Sequence, residues 1–150
     1  QRSNFHLLGH DMQVRNCTSI DPDGAHITSS NDDTELDVSD CILVGGEYAF
    51  YTVNSGSMTT DTNIAHGFSV ALTLGSDITQ NNTLQVDPML TDSYEVPCDS
   101  PAVAVGSNWS GFDSYDSLSG IRAQADAHDL GARQSNWGLY LRQVRKRVIS

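Results

Sequence analysis

The chain has 150 residues, 38% of them hydrophobic and 18% charged, with 19 acids against 8 bases and a formal charge of −11. That length suits one domain, and Leu, Ile, Val and Phe spread along it supply a core, which excludes a wholly disordered chain. No apolar run approaches the roughly 18 residues of a membrane helix, and a body this acidic repels the phosphates of nucleic acids and anionic membrane surfaces. The first residue is Gln1 rather than Met, as in a matured product or a part of something longer.

Taken in order, the apolar stretches are short: 5–8, 25–28, 41–44, 48–53, 68–74 and 83–86. Each is of strand length and is bounded by Asp, Asn, Gly or Ser, which supply turns through side-chain capping or positive φ. A weak repeat runs through them. Val14-Arg-Asn-Cys17-Thr-Ser-Ile20 aligns with Val38-Ser-Asp-Cys41-Ile-Leu-Val44 at an offset of 24 residues. A second step of that size reaches Thr62-Asn-Ile-Ala65-His-Gly-Phe68 and places Ala65 and Phe68 at the Cys and Ile/Val positions. Periods of this length belong to solenoids in which each repeat is one turn. The expected fold is all-β, a short parallel β-helix, with a small β-sandwich as the runner-up.

Cys17, Cys41 and Cys98 form an odd set that allows at most one internal bridge. No pair has the C-x-x-C spacing of zinc or redox sites, so they read as buried structural thiols. Stacking of the repeat puts Cys17 and Cys41 on one face of successive turns. Acids are abundant, among them Asp21, Asp23, Asp32, Asp33, Glu35 and Asp37. A glycoside hydrolase needs two carboxylates about 5–10 Å apart, but abundance alone singles out no pair, and solvated surface carboxylates explain these. A lyase needs a base and a group that neutralises the uronate. Residues 1–132 offer only Arg2, Arg15 and Arg122, with His6, His10, His26, His66 and His128. No Gly-x-Ser-x-Gly elbow occurs. No metal ligand or cofactor is assigned. Asp21-Pro-Asp23-Gly24 and Asn31-Asp32-Asp33 offer oxygens to calcium without the spacing of a calcium loop, and read first as turn formers.

Between 77 and 134 stand, in order, Val86-Asp87-Pro88-Met89-Leu90, Tyr94-Glu95-Val96, Asp99-Ser100-Pro101-Ala102-Val103-Ala104-Val105-Gly106, Asp116-Ser-Leu-Ser-Gly120-Ile121-Arg122 and His128-Asp129-Leu130-Gly131-Ala132. This series resembles the C-terminal closing module of right-handed parallel β-helix proteins, the choice-of-anchor Q type. The family adds an acid after Gly-Ala, where this chain has Arg133 and Gln134, and often a Pro before the arginine, which is absent here. The resemblance implies a cap on a stacked sheet and specifies no catalytic residue. Physically, Pro88 and Pro101 fix φ and turn the chain, and 102–105 reads as an apolar strand. Arg122 can pair with Asp116 or Asp129 within the closing turn.

Trp109, in a Gly/Ser loop, is the candidate glycan contact. Residues 133–150 carry Arg133, Arg142, Arg145, Lys146 and Arg147 with no acid, so a tail of +5 follows a body of −16. Trp137, Leu141, Val144 and Val148 form one helical stripe, while Arg142, Arg145 and Lys146 fall largely on other faces. The chain is thus expected to comprise β-helix rungs over 1–86, a closing module over 87–134 and an amphipathic basic tail over 135–150. The tail is expected to dock on a partner, either another copy of the chain or a larger assembly. The alternatives are packing back onto its own body and binding nucleic acid or another anionic surface, which only the tail can do. The expected role is a non-enzymatic structural or adhesive module at an extracellular or virion surface. The alternative is the C-terminal fragment of a β-helix polysaccharide lyase or glycoside hydrolase.

Overall fold

The computed structural model describes residues 3–30, 34–54, 56–97, 99–103 and 105–106. Among these there is no helix. The first turn holds β1 (Ser3–Leu7), β2 (Met12–Arg15) and β3 (Thr18–Ile20), and the second β4 (Ala25–Ser29), β5 (Glu35–Ser39) and β6 (Ile42–Val44). The third holds β7 (Tyr48–Thr52), β8 (Ser57–Asp61) and β9 (Ile64–His66), and the fourth begins with β10 (Ala71–Leu74) and β11 (Ile78–Asn81). Every strand pairs in parallel with its equivalent one turn away, giving sheet A (β1-β4-β7-β10), sheet B (β2-β5-β8-β11) and sheet C (β3-β6-β9). Parallel partners a full turn apart make this a β-solenoid. The sandwich is thereby excluded, since its strands would pair antiparallel across two sheets.

Sheet B shows the local rule most plainly. Met12, Leu36 and Met58 stack in register, as do Val14, Val38 and Thr60, and all face the core. Gln13, Asp37 and Thr59 stack between them and are exposed, as period-2 alternation requires. In sheet A the paired register passes over one position in every turn, at Asn4, His26, Ala49 and Leu72. There two consecutive residues are buried, His26 with Ile27 and Ala49 with Phe50. The shifted alternation brings Tyr48 and Tyr51 together, stacked at 6.3 Å. Sheet C buries both faces. Leu43 and Ala65 join the interior, while Ile42 and Ile64 form a second cluster with Val96 and Ala102.

That second cluster is made by the segment after the last strand. Asp87 Oδ1 accepts the Met89 amide at 2.8 Å and closes a turn over Pro88. The Ser100 hydroxyl donates to the Pro88 carbonyl at 2.6 Å and accepts the Ala102 amide at 3.0 Å. Residues 102–103 are therefore a turn rather than the start of the strand read at 102–105. The two proline motifs are tied together, and the described part of the segment after the last strand lies along the outer side of sheet C.

The 24-residue step is the register of the first two turns, with Val14 opposite Val38 and Ile20 opposite Val44. Cys17 and Cys41 occupy equivalent corners and both pack on the interior core, as the repeat requires. The next step is 22 residues: Leu43 lies opposite Ala65 and Val44 opposite His66, so Asn63 takes the place of Cys41 and Phe68 falls beyond the strand. The difference of two residues arises half in the corner between sheets C and A, five residues from Ile20 to Ala25 against four from Val44 to Tyr48, and half in the corner between sheets A and B. The chain advances five residues from Leu7 to Met12, seven from Ser29 to Leu36 and six from Thr52 to Met58, all equivalent positions. Between sheets B and C the advance is three in every turn, from Arg15 to Thr18, Ser39 to Ile42 and Asp61 to Ile64. One residue in that corner is left-handed each time: Asn16 (φ 50°), Asp40 (58°), Thr62 (53°) and Asn82 (49°).

Asn63 completes the third corner. Fully buried, it accepts the Cys41 amide at 2.9 Å and donates to the Val38 carbonyl at 3.0 Å. Asn63→Leu keeps the size of the side chain but strands a buried N–H and a buried C=O. It is expected to cost at least ~2 kcal/mol, read as a lower urea midpoint at unchanged m-value.

Candidate functional site

Polar groups gather in two places. The first lies inside the solenoid at the junction of sheets C and A. Ser19 shares its register with Leu43 and Ala65 and so faces the core, where a hydroxyl needs a partner. The His26 ring supplies it, with Nδ1 at 2.7 Å from the Ser19 oxygen. His26 Nε2 is 2.8 Å from the Gly45 carbonyl, which can only accept, so Nε2 carries the proton and Nδ1 receives the Ser19 hydroxyl. Asn4 Nδ2 donates to the same Ser19 oxygen at 2.7 Å. Phe68 packs edge-on against the His26 ring at 5.7 Å. The chain of donors from Asn4 through Ser19 and His26 to Gly45 thus laces the first turn to the second.

A hydroxyl donating to an imidazole is also the pairing of an activated nucleophile. Here Ser19 is 3% exposed and His26 is fully buried, and neither presents a face to a substrate. The arrangement is a strut. Burial lowers the His26 pKa, outweighing the Gly45 hydrogen bond and the charge of Asp21, which act the other way.

The second place is the last-turn end of the stack. A shallow depression of about 340 Å³ is lined by Ala65, His66, Phe68, Val70, Leu72 and Gln85. Around it Val70, Leu74, Leu84 and Val86 are exposed by 60%, 38%, 45% and 38%, a dense grouping of large apolar side chains for a solvated rim. Among the described residues, nothing pairs with the outer edges of β10 and β11, and Leu84 continues sheet C by a single bridge to Ile64.

The acids singled out in the sequence that the structure describes lie on two separate elements. Asp21 and Asp23 are exposed in the corner between sheets C and A, and Glu35 and Asp37 are exposed on sheet B. The Asp21 carboxylate occupies the space that a Cβ at Gly45 would fill, and Gly45 is itself left-handed (φ 78°). Among the described residues, no three His, Cys, Asp or Glu side chains form a group able to hold a metal. Asn31, Asp32 and Asp33 lie outside the described residues, as do Trp109, Arg122, Trp137, Leu141, Arg142, Val144, Arg145, Lys146 and Val148. The Ser19–His26 pair escaped the sequence reading, although a serine at an inward position of the repeat was its signal. No known protein family, curated protein or solved structure matches the chain.

The His26 strut makes stability depend on pH. Its folded pKa lies below 6.5 and its unfolded pKa at the ordinary value of 6.5, so protons bind preferentially to the unfolded chain as pH falls below about 6.5. The stabilisation is complete above that value and is lost beneath it, at up to ~1.4 kcal/mol per pH unit. Urea midpoints at about pH 7 and pH 5 should fall further for the parent chain than for His26→Gln.

Proposed function

We propose that this chain is a non-enzymatic structural or adhesive module of an extracellular or virion-surface assembly, joined there to copies of itself or to a larger protein. The observation that carries the reading is the last-turn end of the solenoid, where two edge strands and the exposed Val70, Leu74, Leu84 and Val86 surround a shallow depression. Open strand edges and an apolar rim are surfaces that a neighbouring subunit covers at least cost. The charge pattern supports the same reading. A body of −16 attracts the +5 tail of another copy, and the tail follows the segment that returns along sheet C. Trp137, Leu141, Val144 and Val148 supply the apolar stripe of that contact, and Arg142, Arg145 and Lys146 its charge. Trp109 is the proposed contact to a surface glycan. The many separate carboxylates of the outer faces keep such a module soluble rather than composing a catalytic pair.

Deleting residues 135–150 is the test. Sedimentation of the intact chain should show an assembly, weakened at high salt, and the truncated chain should sediment as a monomer that keeps its β-sheet circular dichroism. Assembly unaffected by the deletion contradicts the tail's role. Release of reducing ends or unsaturated sugars from polysaccharides by the intact chain contradicts the non-enzymatic reading.

A further inference from the structure

We propose that Cys17 and Cys41 are the two halves of a disulfide between the first and second turns, closed by exchange with a small-molecule disulfide. The register carries the argument. Thr18 lies opposite Ile42, and the Ile42 amide donates to the Cys17 carbonyl at 2.9 Å, so the two cysteines occupy the same corner position one turn apart. Each thiol donates to the carbonyl two residues before it, Cys17 Sγ to Arg15 at 3.3 Å and Cys41 Sγ to Ser39 at 3.2 Å. The same local contact in both turns gives the two side chains the same direction, and both pack on the interior core. Neighbouring strands lie about 4.7–4.9 Å apart, within the 4.4–6.8 Å between Cα atoms that a disulfide spans, and closure draws the two Cβ atoms a few tenths of an ångström nearer than that spacing, to about 4.5 Å or less. At the third turn this position is Asn63, so the stack holds a pair of thiols and no third.

The two sulfurs differ in access, which orders the chemistry. Cys17 is half-buried in the first turn, whereas Cys41 is fully buried, and burial, then its hydrogen-bonding contact with the Cys17 sulfur, which favours the protonated thiol, push it well above the ordinary range. Cys17 therefore reacts first. Its thiolate attacks one sulfur of the small disulfide, the S–S bond breaks, and one small thiolate leaves with the bonding pair and takes up a proton. Cys41 then gives its proton to the second departing thiolate as its sulfur bonds to that of Cys17. Two protein thiols are oxidised to one disulfide, and one small disulfide is reduced to two thiols. The product closes a loop of one full solenoid turn. It fastens the first turn, which has a neighbour on one side only among the described residues, to the second.

The test uses the full-length chain carrying Cys98→Ala, so that only these two thiols remain. Native protein is held in glutathione disulfide, blocked with N-ethylmaleimide and weighed intact. Closure is read as the loss of two hydrogens with no blocking group added, and as a rise in melting temperature on the order of 10 °C over the reduced form. Cys17→Ser in the same background should abolish both changes. Two blocking groups, or a lasting single glutathione adduct, on a chain with native circular dichroism overturns the proposal. If Cys98→Ala does not fold, peptide mapping of the unsubstituted chain decides: a peptide linked through Cys17 and Cys41 supports the bridge, and linkage through Cys98 overturns it.

Discussion

The three-residue corner between sheets B and C is the constraint on which the solenoid depends. Each turn bends from one sheet to the next there with one left-handed residue, and the same count in every turn keeps β3, β6 and β9 in register with their predecessors in sheet B. A left-handed non-glycine residue costs roughly 1–2 kcal/mol. Asn and Asp, at 16, 40 and 82, bear this best because their short side chains bond locally. Thr62 is the strained member, and its hydroxyl compensates in part by donating to Asp61 Oδ1 at 3.2 Å. Backbone bonds then tie corner to corner, from the Asn16 amide to the Ser39 carbonyl and from the Asp40 amide to the Thr62 carbonyl. The corner between sheets A and B carries no such repetition, and its length drifts from turn to turn.

Fixing the register determines what the interior contains. Aligned turns place Phe50 on Ile27 and Leu36 on Met58, and they also force Ser19 and Asn63 into the core, where each must find a partner. Ser19 bonds to His26 and Asn63 to the Cys41 amide and the Val38 carbonyl, each across to the neighbouring turn. The buried polar groups thus lace adjacent turns together while the apolar ladders supply the area removed from water. The outer faces divide the same way. Sheet B presents Gln13, Glu35, Asp37 and Thr59 to solvent, sheet C is covered by the returning segment, and Val70, Leu74, Leu84 and Val86 are exposed at the last turn. This partition is what makes an assembly module the reading proposed for the chain.

Much of this was legible in the residues, but unevenly. The inner strands of sheet A, β4 and β7, are largely buried, and β7 announces itself as the apolar run Tyr48-Ala-Phe-Tyr-Thr52. Those of sheet B do not, since Glu35, Asp37, Thr59 and Asp61 break every run at the solvated positions. The first repeat was visible because both turns set Val, Cys and an aliphatic residue at equal spacing. The third was misplaced by two residues because the lengths of the corners between sheets C and A and between sheets A and B leave no mark on the motif that follows them. The Ser19–His26 contact joins successive turns and becomes visible only once the register is known.

One comparison of two insertions bears most directly on the corner as the organising constraint. A single glycine added after Asn54 lengthens the corner between sheets A and B, whose count already varies, whereas one added after Thr62 breaks the three-residue count between sheets B and C. Urea unfolding of the two variants should show a loss below about 1 kcal/mol for the first and no cooperative transition for the second, because a one-residue slip turns the following strand's core residues outward. Equal losses in the two variants, or a folded second variant, would contradict the account.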